Sequence, residues 1–225
     1  MGGIYLLGIL FALLGMLVQN QLRNKIKLYS SQPLSKTLTG KEVAETMLRD
    51  HGIFDVKIMS VKGQLTDHYN PQNKTVNLSI EIYHGRNIAS TAVASHECGH
   101  ALQHASAYAM LGIRSTIVPF AQVAGTLMPW ILMIGVMLLS VIPQLLLVAI
   151  IAQFIITLFT LITLPVEFDA SKRALVWLDS KNITTIKEHE GAKDALKWAA
   201  MTYVVAALAA IAQLIYLLSR YSKKN

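Results

Sequence analysis

The sequence predicts a mainly α, integral membrane protein with four transmembrane helices and a small α+β cytoplasmic domain that carries an H-E-x-x-H helix. Three observations predict it. Of 225 residues, 53% are hydrophobic and only 15% charged, against about 25% charged in an ordinary soluble domain. The charges are segregated, because four long apolar runs hold none. Residues 96–100 read His-Glu-Cys-Gly-His inside an Ala-rich stretch of helical pattern.

The first apolar run, Gly2 to Gln19, is followed by Arg23, Lys25 and Lys27. A secretory signal carries its positive charge before the apolar run, so residues 1–19 read as an uncleaved transmembrane anchor. Residues 116–164 form a transmembrane hairpin, one span from about Thr116 to Leu139 and the next from Ile142 to Leu164, with Ser140 and Pro143 marking the turn. Pro119 and Pro129 are tolerated kinks in the first of these. The last span covers residues 199–218, and a short tail, 219–225, follows.

Two polar stretches remain, residues 20–115 and 165–198, and a hairpin between them returns the chain to the same side. They hold 17 of the 20 Lys and Arg residues, and the hairpin turn holds none. The positive-inside rule then places both in the cytoplasm, against the weaker contrary signal of Arg220, Lys223 and Lys224. The expected setting is a multi-pass protein of a bacterial plasma membrane. The net charge of +7 is scattered and lacks interleaved aromatics, which argues for lipid headgroups and against nucleic acid as a partner. One cysteine, Cys98, excludes an internal disulfide and a C-x-x-C motif.

Within residues 20–115, Lys41 to Asp50 reads as a short helix started by Thr39 or Gly40. Val56 to Val61 and Thr75 to Ile80 are β-branched strand patterns, and Asn70-Pro71-Gln72-Asn73 is a turn signal between strand-like segments. A small antiparallel sheet is expected, with Thr75 to Ile80 at an edge able to bind a substrate strand. A helix is expected from Ile88 through Met110, capped by Asn87 or Ser90.

That helix carries the chemistry. His96 and His100, at i and i+4, share one helical face and can converge on one zinc ion. Glu97 reaches the same cavity without being a ligand, and can take a proton from zinc-activated water and return it to a leaving amine. Gln103 and Ser106 stand where the metzincin pattern needs Gly and His, so that class is excluded. His104 extends the face by a turn. Because i and i+8 stand about 12 Å apart along the axis, it reads as a flanking or supporting residue.

The third ligand is then sought in the other polar stretch, at Glu167, where an unpartnered carboxylate near the hydrocarbon boundary would be costly. The bland alternative is a solvated acid at a helix start. Asp169 is a rival ligand, or an acceptor that orients an imidazole. His68 or Tyr69 is a candidate donor to the oxyanion, against the plainer reading of Asp67-His68-Tyr69 as an ordinary strand-to-turn segment.

The segment Ser95 to His104 (S-H-E-C-G-H-A-L-Q-H), with Asp67-His68-Tyr69-Asn70-Pro71 before it and Pro165-Val166-Glu167-Phe168-Asp169-Ala170-Ser171 after it, resembles the YugP-like bacterial zinc metallopeptidases over nearly the whole chain. It is more distantly similar to the HtpX-type and CAAX-prenyl-type gluzincin membrane proteases. The resemblance implies a zincin-like domain, one Zn2+ held by His96, His100 and Glu167, and Glu97 as general base. The Asp of the family's E-x-x-x-D pattern falls on Ser171, and the expectation is that Asp169 takes over its role. The implied activity is a zinc endopeptidase acting on protein or peptide substrates, membrane proteins among them. A zinc-stabilised membrane adaptor without turnover and an intramembrane (site-2-type) protease are the alternatives. Oligomeric state and any adaptor are not legible.

Overall fold

The computed structural model describes residues 2–138 and 144–222. Its elements are α1 (Gly2–Ser30), α2 (Gly40–Asp50), β1 (Lys57–Val61), β2 (His68–Asn70), β3 (Thr75–Ser79), α3 (Ile80–His84), α4 (Ile88–Ala105), α5 (Ala109–Leu138), α6 (Gln144–Ser180) and α7 (Ile186–Ser222). Among the described residues, α1, α5, α6 and α7 are long and apolar enough to cross a membrane. The turn expected at Ser140 and Pro143 lies outside the described residues.

The chain divides into two compact units. One comprises residues 1–18, 112–165 and 201–225, and the other residues 19–111 and 166–200. The first has a core of Ile4, Ala124, Met128, Leu146, Ala149, Ile150, Ala152 and Leu217. Inside it the Gln153 amide, 1% exposed, donates to the Ala210 carbonyl at 3.0 Å, and the Thr157 hydroxyl reaches the same carbonyl at 3.2 Å. Such polar contacts tie helices together where water is absent.

The second unit packs α2, the sheet, α4 and the polar ends of α6 and α7 around Val43, Met47, Leu78, Ile88, Cys98, Leu102, Trp177 and Leu196. The α2 start is a complete capping box. Thr39 accepts from the Glu42 N–H, and the Glu42 carboxylate accepts from the Thr39 N–H. The start of α7 repeats the device with Thr185 and Glu188, whose other carboxylate oxygen accepts from the Ser35 N–H and hydroxyl. Tyr29 and Lys25 of α1 both bind Asp194 of α7, each at 2.7 Å.

Several elements differ from expectation. The sheet is mixed, in the order β1-β3-β2, with β1 parallel and β2 antiparallel to β3. The 13 residues from Lys62 to Lys74 carry the chain past β3's position and back, which is long enough for a parallel pairing. β3 is therefore the central strand, paired with β1 along its length and with β2 over residues 75–77, and not the edge expected to receive a substrate; the edges are β1 and β2. The helix expected from Ile88 to Met110 ends at Ala105, where Ala107 takes a left-handed backbone (φ 49°), and α5 begins anew at Ala109. The helices α1, α6 and α7 all extend beyond their apolar runs. Their polar extensions are rich in Lys, Arg, Gln, Glu and Ala, which propagate a helix well once it is nucleated. As a result α6 passes unbroken through Pro165, and Glu167 sits in a helix interior, not at a helix start.

Helices α4 and α6 touch at Gly99 and Ala170. A Cβ on Gly99 would lie 2.5 Å from the Ala170 carbonyl oxygen and 3.0 Å from its Cα. These are backbone atoms, which cannot rotate aside. Gly99→Ala is expected to destabilise the protein despite gaining about 1 kcal/mol of helix propensity, because overpacking of this kind costs about 1–3 kcal/mol. Thermal unfolding in detergent checks this, and a midpoint at or above that of the wild type contradicts the contact. Thr39→Ala, which breaks the α2 capping box, is expected to cost about 1 kcal/mol in the same assay.

Candidate metal centre

Asn87 caps α4, its side chain accepting from the Ser90 N–H at 2.9 Å, and so sets where the helix starts. One turn apart on this helix, His96 and His100 stand with ring centroids 4.8 Å apart and planes at 81°. The tight α4–α6 contact brings Glu167 against both rings. Its Oε2 lies 3.4 Å from His96 Nε2 and 3.5 Å from His100 Nε2. One ligand atom from each of the three residues falls within 4.8 Å of the others. Glu167 is 3% exposed and His100 8%.

The other ring nitrogens are occupied. His96 Nδ1 lies 3.1 Å from the Ser171 hydroxyl, and His100 Nδ1 lies 3.0 Å from Gln103 Oε1. Both Nε2 atoms are thus turned toward one carboxylate, at separations longer than the usual hydrogen bond of about 2.9 Å. Two ligands about 2.0–2.1 Å from a tetrahedral zinc stand about 3.4 Å apart. Burial disfavours a charged His100, but the hydrogen bond and charge of Glu167, with the charge of Glu97, outweigh it and raise the His100 pKa. The centre favours a positive charge where the three atoms face one another, and its donor set fits zinc.

Glu97 does not join the cluster. It is 7% exposed, and its Oε2 accepts the backbone N–H of Tyr69 at 3.0 Å. In the β2–β3 register Tyr69 faces Val76, and its N–H points outward from the sheet to α4. The Tyr69 hydroxyl meets His104 Nδ1 at 2.7 Å, so this residue spans from Glu97 to His104, two turns along the same helical face. His68 is turned elsewhere. Its Nδ1 bonds the Thr66 carbonyl and its Nε2 lies 3.3 Å from the Asn77 amide. Asp67 bonds the Ser79 N–H and hydroxyl, and burial, with the Glu97 charge, lifts its pKa. Cys98 points to Ala44 in the core, and burial pushes its thiol well up, which removes it as a thiolate ligand.

Asp169 neither joins the ligand cluster nor touches an imidazole. It accepts from Gln103 Nε2 at 2.9 Å and from Arg173 Nε at 2.6 Å. Residue 171 faces His96 itself, as a serine, so the expected transfer of its role to Asp169 is corrected. In a helix, i and i+4 share a face while i and i+2 do not, and Ser171 is four residues from Glu167. Gln103 was missed as a site residue. Its position three residues after His100 was a usable signal, since i+3 lies on the same face.

Comparison with known proteins agrees with this geometry. A family model described as "Putative neutral zinc metallopeptidase" matches residues 4–222. The chain is also 40% identical over 197 residues to the Bacillus subtilis (strain 168) protein named "Putative membrane protease YugP", covering 88% of this chain and 87% of that one. No solved structure matches it significantly. With a match spanning nearly its whole length, the chain belongs to this zinc metallopeptidase family, of the YugP-like kind, and its four apolar helices accord with a place in the membrane.

Proposed function

We propose that the protein is a membrane-embedded zinc endopeptidase that hydrolyses peptide bonds by zinc-activated water, with Glu97 as general base, at the cytoplasmic membrane face. One observation carries the reading: two imidazole Nε2 atoms and a buried carboxylate converge, while a second carboxylate, Glu97, is held beside them and outside the cluster. His96, His100 and Glu167 would hold the metal, which would supply a Lewis acid for the scissile carbonyl and lower the pKa of the attacking water.

Glu97 is oriented by the Tyr69 N–H and keeps a second oxygen with which to accept the water's proton and pass it to the leaving amine. The strand beside it is β2, a sheet edge whose outward Tyr69 N–H is already given to Glu97, so the substrate pairing expected of the central β3 is not transferred to it. The Tyr69 hydroxyl and His104, bonded to each other along the same face as Glu97, are assigned in this reading as the candidate donors to an oxyanion. His68, bonded to Thr66 and Asn77, is not assigned a role.

Since α4 is not among the four apolar helices, the interfacial protease is favoured over the intramembrane kind. The cytoplasmic side rests on the basic excess of residues 20–115 and 165–198. Substrates are proteins or peptides, membrane proteins among them, with the bilayer itself as the other partner.

Glu97→Gln is expected to keep zinc at wild-type stoichiometry and to lower peptide hydrolysis by about 100–10,000-fold, the usual worth of a general base. Metal analysis paired with a fluorogenic peptide or casein assay reads both. Equal turnover by variant and wild type would refute the enzyme reading and favour an adaptor. Glu167→Ala is expected to purify with less zinc than wild type and to lose hydrolysis with it; full metal content would remove Glu167 from the ligand set.

A further inference from the structure

Gln103 is wholly buried, and its side-chain amide is fully engaged. Nε2 donates to the Val166 carbonyl at 2.7 Å and to Asp169 Oδ2 at 2.9 Å, while Oε1 lies 3.0 Å from His100 Nδ1. Arg173 Nε holds the same Asp169 oxygen at 2.6 Å. Val166 O and Asp169 Oδ2 are acceptors only. An amide turned the other way would set Oε1 against two oxygens, so the NH2 end must face α6. Oε1 is then the atom that meets His100, and an acceptor there requires a proton on His100 Nδ1. His100 Nε2 is left with its lone pair, turned toward Glu167. Ser171 does not impose this on His96, because a hydroxyl can donate or accept.

We propose that Gln103 is a positioning residue of the metal centre: it fixes His100 in the Nδ1-protonated tautomer and ties that ring to the α6 turn that bears Glu167. The inference rests on the zinc reading above. Two acceptors on α6 dictate the orientation of one amide on α4, and that amide dictates which nitrogen of His100 is free to bind. Helix α6 therefore acts on the centre twice, by providing Glu167 and by setting the tautomer of a ligand on the other helix. Supporting groups of this kind commonly change metal affinity by about 10–100-fold.

The test uses the full chain in detergent. Zinc affinity is read by competition with a chromophoric chelator, and the His100 tautomer by ring 15N shifts of the metal-free protein at a pH where the ring is neutral, with the His100 signal assigned by comparison with His100→Gln. Gln103→Leu removes all three hydrogen bonds and is expected to weaken zinc binding about 10–100-fold and to release His100 from a single tautomer. Gln103→Glu, protonated on the oxygen that faces the Val166 and Asp169 acceptors, keeps an acceptor opposite Nδ1 and is expected to retain the Nδ1-protonated ring and to bind zinc more tightly than the Leu variant.

Zinc affinity within about twofold of wild type in Gln103→Leu overturns the proposal, as does a neutral His100 ring protonated at Nε2 and not at Nδ1 in either wild type or Gln103→Glu. Should the Leu variant fail to fold, the Glu variant and the wild-type tautomer still decide. A wild type that binds no zinc overturns the metal reading itself, which separates that failure from this one.

Discussion

The candidate site depends on the close approach of two helices at Gly99 and Ala170. His96, Glu97 and His100 are local to α4, and the periodicity of that helix alone places them together. Glu167 is 67 residues further along the chain than His100, and it reaches the imidazoles only because α4 lacks a side chain at the contact. The methyl-sized gap at Gly99 sets the interhelical distance, and that distance sets whether one carboxylate oxygen faces two Nε2 atoms. Ala170 and Ala174 on the same stretch of α6 are both fully buried and keep the interface small.

What is assembled there favours a positive charge between the three ligand atoms. A carboxylate only 3% exposed is surrounded by two rings whose outer nitrogens are occupied. Burying charge is costly unless it is compensated, and a cation at the common focus, a proton on His100 or a metal, adds to that compensation. The same logic separates the two glutamates. Glu167 lies against the imidazoles and in the proposed reading belongs to the ligand set, whereas Glu97 is held by a backbone N–H from a sheet edge, which suits the base proposed for it. Position and partner, not residue type, distinguish the proposed ligand from the proposed base.

The units also differ in what holds them. Residues 19–111 and 166–200 use capping boxes, ion pairs such as Lys25 with Asp194, and an apolar core around Met47, Leu78 and Leu178. In the apolar unit, small residues and buried amides and hydroxyls take that part, as with Gln153 and Thr157 on the Ala210 carbonyl. Hydrophobic burial discriminates poorly between helix and lipid, so directional polar contacts have more to do there.

The sequence by itself determined the four apolar helices, the α2 helix with its start at Thr39 or Gly40, the strand segments of β1 and β3, and the H-E-x-x-H face, because each rests on local composition or on a period of two or 3.6 residues. It also pointed to Glu167, through the cost of a lone carboxylate where an apolar run ends. Only the tertiary structure decided the rest: that β3 is central and β2 the edge beside Glu97, that α4 stops at Ala105, that α6 runs through Pro165, that Ser171 and not Asp169 faces His96, and that Gln103 bridges His100 to α6. These are matters of strand order, register and the rotation of one helix against another. They are set by contacts between residues far apart in the chain, which no local pattern encodes.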